Sequence, residues 1–416
     1  MVYGIDKSYP LERKDILIFI IGLFSSVTVR VLGTFGISEI LCFVSYFVIV
    51  NPFLWKKHEG VTKFFLFALL WLVGVFLSDR YNGTNLINSL KGAFNVIFLI
   101  GLIPFVYWAL YDRVSRILYF LIGAGISSVL NFYFQKSVVL DEVGFDVWRV
   151  YGWASLFSAL SGVLYYKGKT LLSCIVLEAF AIWSLFHLSR NIFITSTISV
   201  CVILFLNSVN NNDIGVQDKI RLIKRKFLPL LIVLGIACLG IDFTYEYLAD
   251  NGLLGERAYE KYYVQKNSKL GLASGRGDFL QSLYVVKDQP LFGYGSYAMD
   301  EDGIQENFRR ELNLEYHKSK HEKSRLSGHS YLLGAWVYAG ILGFIFWLYV
   351  LKLIFKFLRD GLFYEPKLMG INVILTFSML WNIFFSPFGG RLKFLFYIIM
   401  VILMINTVNR RDGVTD

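Results

Sequence analysis

The sequence is poor in the residues from which soluble catalytic and metal sites are usually built. Only 17% of its 416 residues are charged, and it contains four cysteines and five histidines. All four cysteines (Cys42, Cys174, Cys201 and Cys238) fall in apolar runs. They therefore favour small buried side chains over a disulfide framework or a metal site. The patterns G-x-S-x-G, HExxH and CxxC do not occur, so the sequence offers no support for the chemistry that they carry.

Most of the sequence is apolar instead. Hydrophobic residues make up 56% of the chain and aromatic residues 17%, which is typical of a polytopic membrane protein. Runs long enough to cross about 30 Å of hydrocarbon recur along the chain. They lie near residues 16–34, 37–54, 62–78, 88–110, 115–134, 150–166, 171–188, 192–207, 227–245, 330–351, 368–386 and 392–408. The sequence thus predicts an all-α polytopic membrane protein with about 12 transmembrane helices.

The segments between these runs differ in charge. Basic segments such as WKKHEG, DRVSR, YKGKT and QDKIRLIKRK fall on the same side as the N-terminus, which predicts that both termini are cytoplasmic. This topology accounts for most of the net charge of +10, and nothing requires a nucleic-acid partner. No small-residue cleavage site follows the first run, so we expect an uncleaved first span.

One outward segment, residues 246–328, is much longer than the others and is called the large loop below. Its 13 acidic and 12 basic residues nearly balance, and it contains aromatic residues, glycines and periodic stretches. These features predict a partly helical cap over the bundle. The predicted organisation is therefore helices 1–9 in residues 1–245, the large loop in 246–328 and helices 10–12 in 329–416.

Arginines are depleted from short outward loops of membrane proteins, so those that remain need a reason. Arg80 lies in SDRYNG, Arg149 in DVWRVYG, Arg190 in HLSRNIF, Arg391 in SPFGGRLKF and Arg276 in the large loop. Any one of them alone also fits interfacial snorkelling. Several on one side of the membrane favour bidentate binding of phosphate oxygens. The pattern indicates an anionic ligand with a lipid-buried tail, such as a lipid pyrophosphate.

His329 directly precedes a predicted transmembrane helix in SGHSYLLGAWVYAGILG. A neutral imidazole at the membrane surface can accept a proton from a hydroxyl group, and a histidine that caps or orients the helix is the alternative. His317 and His321 have i, i+4 spacing but lack a third ligand at motif spacing, so no metal is predicted. The Asp300-Glu301-Asp302 sequence is interpreted as a solvated turn.

Four stretches of the sequence place these residues among glycines and apolar residues. They are LSRNIFITS at Arg190, SGRGDFLQS with QPLFGYGS between Ser274 and Ser296, GHSYLLGAWVYAGILG from Gly328, and more weakly WRVYGWASLFSAL at Arg149. In order and predicted topology they resemble the bacterial O-antigen ligase and polymerase superfamily. These membrane glycosyltransferases use polyprenyl-pyrophosphate-linked sugars at the periplasmic face.

The resemblance implies that Arg190 and Arg276 hold the pyrophosphate of the donor and that His329 activates the hydroxyl of the acceptor. It implies a single inverting displacement in which the arginines stabilise the departing pyrophosphate, with no metal and no cofactor. The further candidates for binding pyrophosphate or glycan are Arg149, Arg391, Arg80 and Tyr294.

The family contains both polymerases and ligases. We predict an O-antigen polymerase, which joins undecaprenyl-pyrophosphate-linked repeat units. The alternative is a ligase that transfers the glycan to lipid A-core. A transporter for lipid-linked oligosaccharides is a third reading, but the predicted spans are nearly free of mid-span charge, Glu178 being the clearest exception.

The partners implied are undecaprenyl-pyrophosphate-linked oligosaccharide and the lipid bilayer, with a chain-length regulator as a further candidate. The implied location is the bacterial inner membrane, with the active site facing the periplasm.

Overall fold

The structure, a computed structural model, describes most of the predicted membrane region and part of the large loop. The described residues are 11–30, 34–49, 59–134, 145–187, 189–210, 243–253, 276–312, 325–326, 328–360, 365–388 and 391–406, with scattered positions in 215–240 and 259–269 and Leu362. The predicted span 227–245 therefore falls mostly outside the described residues, as do His317 and His321.

The regular secondary structure of the described residues is helical apart from one short hairpin. The helices are α1 (Arg13–Leu23), α2 (Ile37–Ile49), α3 (Glu59–Tyr81), α4 (Leu86–Leu110), α5 (Ile117–Phe134), α6 (Phe145–Tyr166), α7 (Thr170–Phe186), α8 (Arg190–Asn210), α9 (Gly277–Val286), α10 (Ile304–Glu311), α11 (Tyr331–Asp360), α12 (Met369–Phe385) and α13 (Arg391–Met404). Short 3₁₀ turns at Val114–Arg116 and Pro366–Leu368 precede α5 and α12. The predicted all-helical membrane architecture is confirmed at this level.

The prediction of a membrane span over residues 16–34 is wrong for the second half of that range. Helix α1 ends at Leu23, and strands β1 (Thr28–Arg30) and β2 (Thr34–Gly36) then pair antiparallel, with Val29 opposite Phe35. The sequence Val-Thr-Val at 27–29 explains the change, because β-branched residues favour extended backbone over helix. An apolar run thus does not by itself specify a helix.

Five of the described helices are long and apolar enough to cross a membrane: Glu59–Tyr81, Leu86–Leu110, Arg190–Val209, Tyr331–Arg359 and Pro366–Phe385. Four shorter apolar helices accompany them: Ile37–Tyr46, Val114–Leu130, Thr170–Phe186 and Leu395–Met404. The chain is thus a helical membrane protein, whereas a total of about 12 spans stays a prediction.

Helices α3 and α11 pack along each other. Their contact is aromatic: the Trp71 ring lies 4.9 Å from Phe346 and 5.8 Å from Trp347. Tyr331, at the start of α11, packs on Trp347 and on Phe388, which follows α12. These large buried rings hold the ends of α11 and α12 in a defined relation.

A second tie lies at the junction of α1 with the α4–α5 connection. Arg116 is fully buried, and its guanidinium donates to Asp15 (2.9 Å), Glu12 (2.5 Å) and Asp112 (2.5 Å). Arg113 also pairs with Asp15. Because all three acids converge on one buried cation, the desolvation of Arg116 is compensated.

The large loop is anchored in a break of α11. Gly340 has φ 64° and ψ −159°, a conformation that only glycine adopts readily. The carbonyl of Val337 cannot bond the N–H of Ile341 there, as it would in a regular helix. Instead Val337 accepts from the N–H of Tyr294 (2.7 Å), and Ile341 donates to the carbonyl of Leu291 (3.0 Å). The loop backbone thereby replaces the missing helical hydrogen bond.

The same loop segment is held by α3. The Asn82 side chain donates to the carbonyl of Gly293 (2.9 Å), and the Tyr81 and Phe292 rings stack at 4.6 Å. The carboxylate of Asp79, which is buried, accepts from the N–H and the hydroxyl of Ser296 (2.6 and 3.0 Å). The large loop therefore lies at the end of the bundle where α3 ends and α11 begins, called the loop side below.

Candidate functional site

His329 is exposed and lies immediately before α11. The next residue, Ser330, is fully buried and fixes the start of this helix. Its hydroxyl oxygen accepts the N–H of Leu333 (3.1 Å), and its O–H donates to the carbonyl of Ile383 (2.8 Å). The second bond satisfies one of the carbonyls that the end of α12 leaves without a helical partner. Ser330 thus ties the residue beside His329 to the last turn of α12.

Arg276 directly precedes α9, and it lies against the same turn of α12. Its guanidinium carbon is 4.3 Å from the centre of the Trp381 ring and 4.7 Å from that of Phe385. Phe279, one turn further along α9, packs edge-on against Phe385 at 5.7 Å. Two aromatic faces against one guanidinium restrict its orientation and stabilise its charge.

Arg276 and His329 therefore border one structural element, the end of α12, although a long stretch of sequence separates them. Trp381 and Phe385 contact the arginine, and Ile383, between them in sequence, receives Ser330 next to the histidine. The arrangement places an exposed imidazole and an aromatic-bound guanidinium on the loop side. This combination suits proton removal near a site where negative charge develops.

Arg190 begins α8, and its guanidinium carbon lies 4.3 Å from the centre of the Tyr245 ring. Tyr245 is buried with Leu185, Ala249 and Tyr262 in a small cluster on the loop side. Helix α8 packs against α12, the helix that carries the aromatic partners of Arg276. Arg190 and Arg276 thus use different aromatic rings, on elements that are linked through α12.

A polar group stabilises the segment around Tyr245. The Tyr262 hydroxyl donates to Glu246 (2.5 Å), and Lys266 pairs with the same carboxylate (3.4 Å). The hydrogen bond from Tyr262, with that from Lys266, lowers the pKa of Glu246 below its usual value. Glu246 is therefore ionised at neutral pH and holds this part of the loop beside Arg190.

Tyr294 contributes mainly to the anchoring of the loop. Its backbone bonds Val337, and its half-buried ring packs with Val285, Val286 and Leu326. Burial, together with the carboxylates of nearby acidic residues, raises its pKa to about 12. The phenol is thus neutral at physiological pH, and its predicted role in glycan binding stays a prediction.

For the other predicted arginines the structure gives the position in the fold but no side-chain contact. Arg80 is exposed near the end of α3, next to Asp79. Arg149 lies in α6 and Arg391 begins α13, but their side chains are outside the described residues. Their predicted roles in binding the pyrophosphate or glycan stay predictions.

The acidic sequence at 300–302 forms the turn that was predicted for it. The Asp300 carboxylate accepts the N–H groups of Ile304 (2.8 Å) and Gln305 (3.1 Å) and so caps α10. Within the described ranges, no group of three or more His, Cys, Asp or Glu residues is arranged to hold a metal ion.

Sequence reasoning missed several residues that shape the site. Trp381 and Phe385 were not distinguished from the other aromatic residues of their span, and Asp79 was not paired with Ser296. The only signal for Asp79 was a carboxylate at the end of an apolar run.

Comparison with known proteins agrees with this geometry. Helices that can span a membrane, with a buried Ser330 and an aromatic-bound Arg276 on one side, define a polytopic membrane protein with a surface site. Residues 154–348 match the model of the O-antigen ligase family. Over this region, which is a little less than half of the 416 residues, the chain is similar to the O-antigen ligase family. No curated protein and no solved structure matches it.

The matched region includes most of the residues of the candidate site. It extends from α6 through the first half of α11 and so contains Arg190, Arg276, Tyr294 and His329. Helix α12, whose aromatic rings contact Arg276, lies outside it.

Proposed function

We propose that this protein is an O-antigen polymerase that joins undecaprenyl-pyrophosphate-linked repeat units by an inverting displacement. The observation that carries the proposal is the meeting of Arg276 and the Ser330–His329 pair at the end of α12. A general base and a cation on one helix end are the two groups that such a displacement requires.

In the proposed reaction, a hydroxyl oxygen of the acceptor sugar forms a bond to the anomeric carbon of the donor. The bond from that carbon to the pyrophosphate oxygen breaks, and undecaprenyl pyrophosphate leaves. His329 takes the proton of the attacking hydroxyl. Arg276 and Arg190 stabilise the charge that grows on the leaving group, so no metal ion or cofactor enters the scheme.

The second candidate is an O-antigen ligase, because the matched family model carries that description. Both reactions use the same donor and the same leaving group, and they differ only in the acceptor. A transporter is the weaker candidate, since the described site lies on one side of the bundle.

The deciding experiment uses the purified protein with synthetic undecaprenyl-pyrophosphate oligosaccharide and EDTA. A ladder of longer lipid-linked glycans that disappears in His329→Ala and in Arg190→Ala supports the polymerase. The matched control is Arg310→Ala, which removes an exposed arginine of α10 from the same loop. Folding of each variant is checked by gel filtration in detergent.

Other outcomes redirect or reject the proposal. Transfer only after lipid A-core is added makes the protein a ligase. A ladder that persists without His329 and Arg190 removes the proposed base and pyrophosphate clamp. No transfer under either condition rejects the glycosyltransferase and favours transport. In cells, a deletion strain with single-repeat lipid A-core indicates a lost polymerase, whereas bare core indicates a lost ligase.

We further propose an inner-membrane location with both termini in the cytoplasm and the loop side facing the periplasm. The basic segments on the N-terminal side support this orientation. A reporter fused after residue 416 tests it, and a C-terminal reporter active only in the periplasm would contradict it. A chain-length regulator is a candidate partner of the polymerase.

A further inference from the structure

Tyr297 has a backbone conformation that needs an explanation. With φ 58°, it is the one described residue other than glycine in the left-handed region, which bulky side chains rarely adopt. The chain is held on both sides of it. Asp79 fixes Ser296, and the Ala298 carbonyl accepts the N–H of Leu326 at 3.0 Å. A strained backbone conformation that is held in place by the surrounding contacts often marks a functional position.

Two cations converge on the ring of Tyr297. The Arg325 guanidinium carbon lies 4.9 Å from the ring centre, and the Lys91 ammonium lies 5.9 Å from it. They come from different elements, since Lys91 is in α4 whereas Arg325 pairs its backbone with Met299. Arg325, Lys91 and Tyr297 are called the Tyr297 cluster below.

The positions of these residues are fixed by packing and hydrogen bonds. The side chain of Gln305 donates to the carbonyl of Arg325 (2.9 Å). In α4, a Cβ at Gly92 would lie 1.9 Å from the Ser296 hydroxyl, so glycine allows the loop to approach beside Lys91. The cluster is therefore a built arrangement rather than a chance meeting of flexible side chains.

The cluster carries two positive charges without a matching acid in the described part of the chain. No ion pair of Lys91 or Arg325 is found among the described residues. Asp300, close to Met299, is occupied by the two N–H groups of α10. Two adjacent cations favour an anion with several oxygens, and a phosphate or pyrophosphate meets that requirement.

The cluster contains neither Arg190 nor Arg276, and its Arg325 lies four residues before His329. Arg325 lies on the segment that leads to His329, and the carbonyl of its neighbour Leu326 accepts the Tyr338 hydroxyl of α11 (2.7 Å). An anion bound there would lie on the segment that carries His329, the proposed base, whereas Arg190 and Arg276 are proposed to hold the leaving group. In the proposed reaction the base acts on the acceptor.

We propose that the Tyr297 cluster binds the phosphate-bearing group of the acceptor, while Arg190 and Arg276 bind that of the donor. This inference rests on the proposed function. The shared chemistry is a phosphate near the acceptor sugar. Its two sources are the pyrophosphate of a second lipid-linked glycan, in a polymerase, or the phosphorylated core of lipid A, in a ligase.

The test separates donor from acceptor in the full-length protein. The donor is an undecaprenyl-pyrophosphate oligosaccharide whose acceptor hydroxyl is replaced by hydrogen. One acceptor is a lipid-linked glycan in which a methylene group replaces the anomeric oxygen, so that it accepts but cannot donate. A second is phosphorylated lipid A-core, and a third carries the same glycan on an uncharged alkyl chain.

The variants are Arg325→Gln and Lys91→Gln, with Lys287→Gln as the control because it removes an exposed positive charge of the large loop elsewhere. We expect each cluster variant to raise the KM for the phosphate-bearing acceptor by roughly tenfold. The kcat, the KM for the donor and the KM for the uncharged acceptor stay unchanged, and Lys287→Gln behaves like the unsubstituted protein. The phosphorylated acceptor that shows the effect identifies the source.

Binding of the methylene-linked acceptor is measured in parallel by native mass spectrometry, because this readout does not depend on turnover. Weaker binding in both cluster variants supports the acceptor site even if no transfer is observed. In that case the proposed function is rejected and the binding site is retained. Unchanged KM and unchanged binding overturn the acceptor site. An equal loss with the uncharged acceptor also overturns it, since it shows a structural role.

Discussion

The carbonyl oxygen of Val337 accepts the N–H of Tyr294 at 2.7 Å, in the place that Ile341 would take in an unbroken helix. Ile341 donates instead to Leu291 of the same loop segment. The large loop is thus joined to α11 through main-chain hydrogen bonds, which depend on backbone conformation more than on side-chain chemistry. The break at Gly340 is what makes this junction available.

Gly340→Ala should disrupt the junction. A Cβ at this position would lie 2.1 Å from the carbonyl oxygen of Leu291, and its backbone conformation is nearly restricted to glycine. We expect a loss of at least ~3 kcal/mol in stability and loss of transfer. The control is Gly168→Ala, where φ is 76° and no atom lies within 4 Å of a Cβ. Thermal unfolding in detergent measures both, and similar losses in the two variants would contradict the argument.

Asp79→Ala should loosen the loop without unfolding the bundle. It leaves the buried N–H and hydroxyl of Ser296 without their carboxylate, at a cost of about 2 kcal/mol. Ser296→Ala removes only the hydroxyl bond and should cost about half as much. Thermal unfolding measures the loss of stability in each variant, and limited proteolysis measures how far the loop is loosened. A larger effect of Ser296→Ala would refute the assignment of the carboxylate as the main tie.

Ser330→Ala should lower kcat more than it changes KM. The hydroxyl positions the residue next to His329 by bonding Leu333 and Ile383. Its loss should cost ~1 kcal/mol of stability and roughly tenfold in kcat, because small displacements of a base reduce its rate. Ser330→Thr should restore part of the rate. Ser282→Ala, which removes a hydroxyl bonded within α9, is the control, and an equal loss of kcat there would argue against positioning.

Arg276→Lys should fold normally and still lose activity. Lysine keeps the charge but lacks the planar guanidinium that lies on Trp381 and Phe385. A planar guanidinium can bind a phosphate by two hydrogen bonds, which an ammonium group cannot reproduce. We expect kcat/KM to fall by ~100-fold. Trp381→Leu keeps the arginine, so its kcat/KM should fall less than that of Arg276→Lys. Full activity of the lysine variant would show that only charge is needed.

Arg116→Met should destabilise the junction of α1 with the α4–α5 connection. Removal of the buried guanidinium leaves Asp15, also fully buried, with one arginine partner fewer, which should cost about 3–5 kcal/mol. Lys63→Met breaks the exposed pair with Glu59 and should cost at most ~0.5 kcal/mol. Chemical denaturation compares them, and equal effects would mean that burial does not matter.

The same junction should weaken in acid. Burial raises the pKa of Asp112, but the hydrogen bond from Arg116 and the charges of Lys14 and Arg116 outweigh it and lower the pKa overall. A carboxyl group with a lowered folded-state pKa stabilises the fold above its unfolded pKa of about 3.9, and this contribution is lost as the pH falls further. Asp112→Asn should lower the stability at pH 7, where this contribution is fully present, and should make the stability depend less on pH below about pH 4. If the variant lost stability below pH 4 as steeply as the unsubstituted protein, the pair of Asp112 with Arg116 would not be the cause of the acid sensitivity.

Part of the structure followed from local sequence. Residues 192–207 predicted a helix, and α8 runs from Arg190 to Asn210. Residues 16–34 also formed an apolar run, yet α1 ends at Leu23 and a hairpin follows. Hydrophobicity measures transfer out of water, whereas the choice between helix and strand depends on β-branching and on the neighbours with which the backbone pairs.

The candidate site shows the same division. Its arginines and histidine were visible because charge near the ends of apolar runs is unusual. The partners of those residues were not visible. Nothing in one sequence relates Arg276 to Trp381 or Ser330 to Ile383, because such contacts arise when helices distant in sequence pack together.

By itself, the sequence determined that this is a helical membrane protein with polar chemistry concentrated beside its apolar runs, because composition and periodicity act through the solvent and need no partner. Only the tertiary structure decided that α11 breaks at Gly340 to receive the loop, and that Arg276 and Ser330, the neighbour of His329, both contact the end of α12. Those features depend on hydrogen bonds and packing between distant segments, and these exist only once the chain is folded.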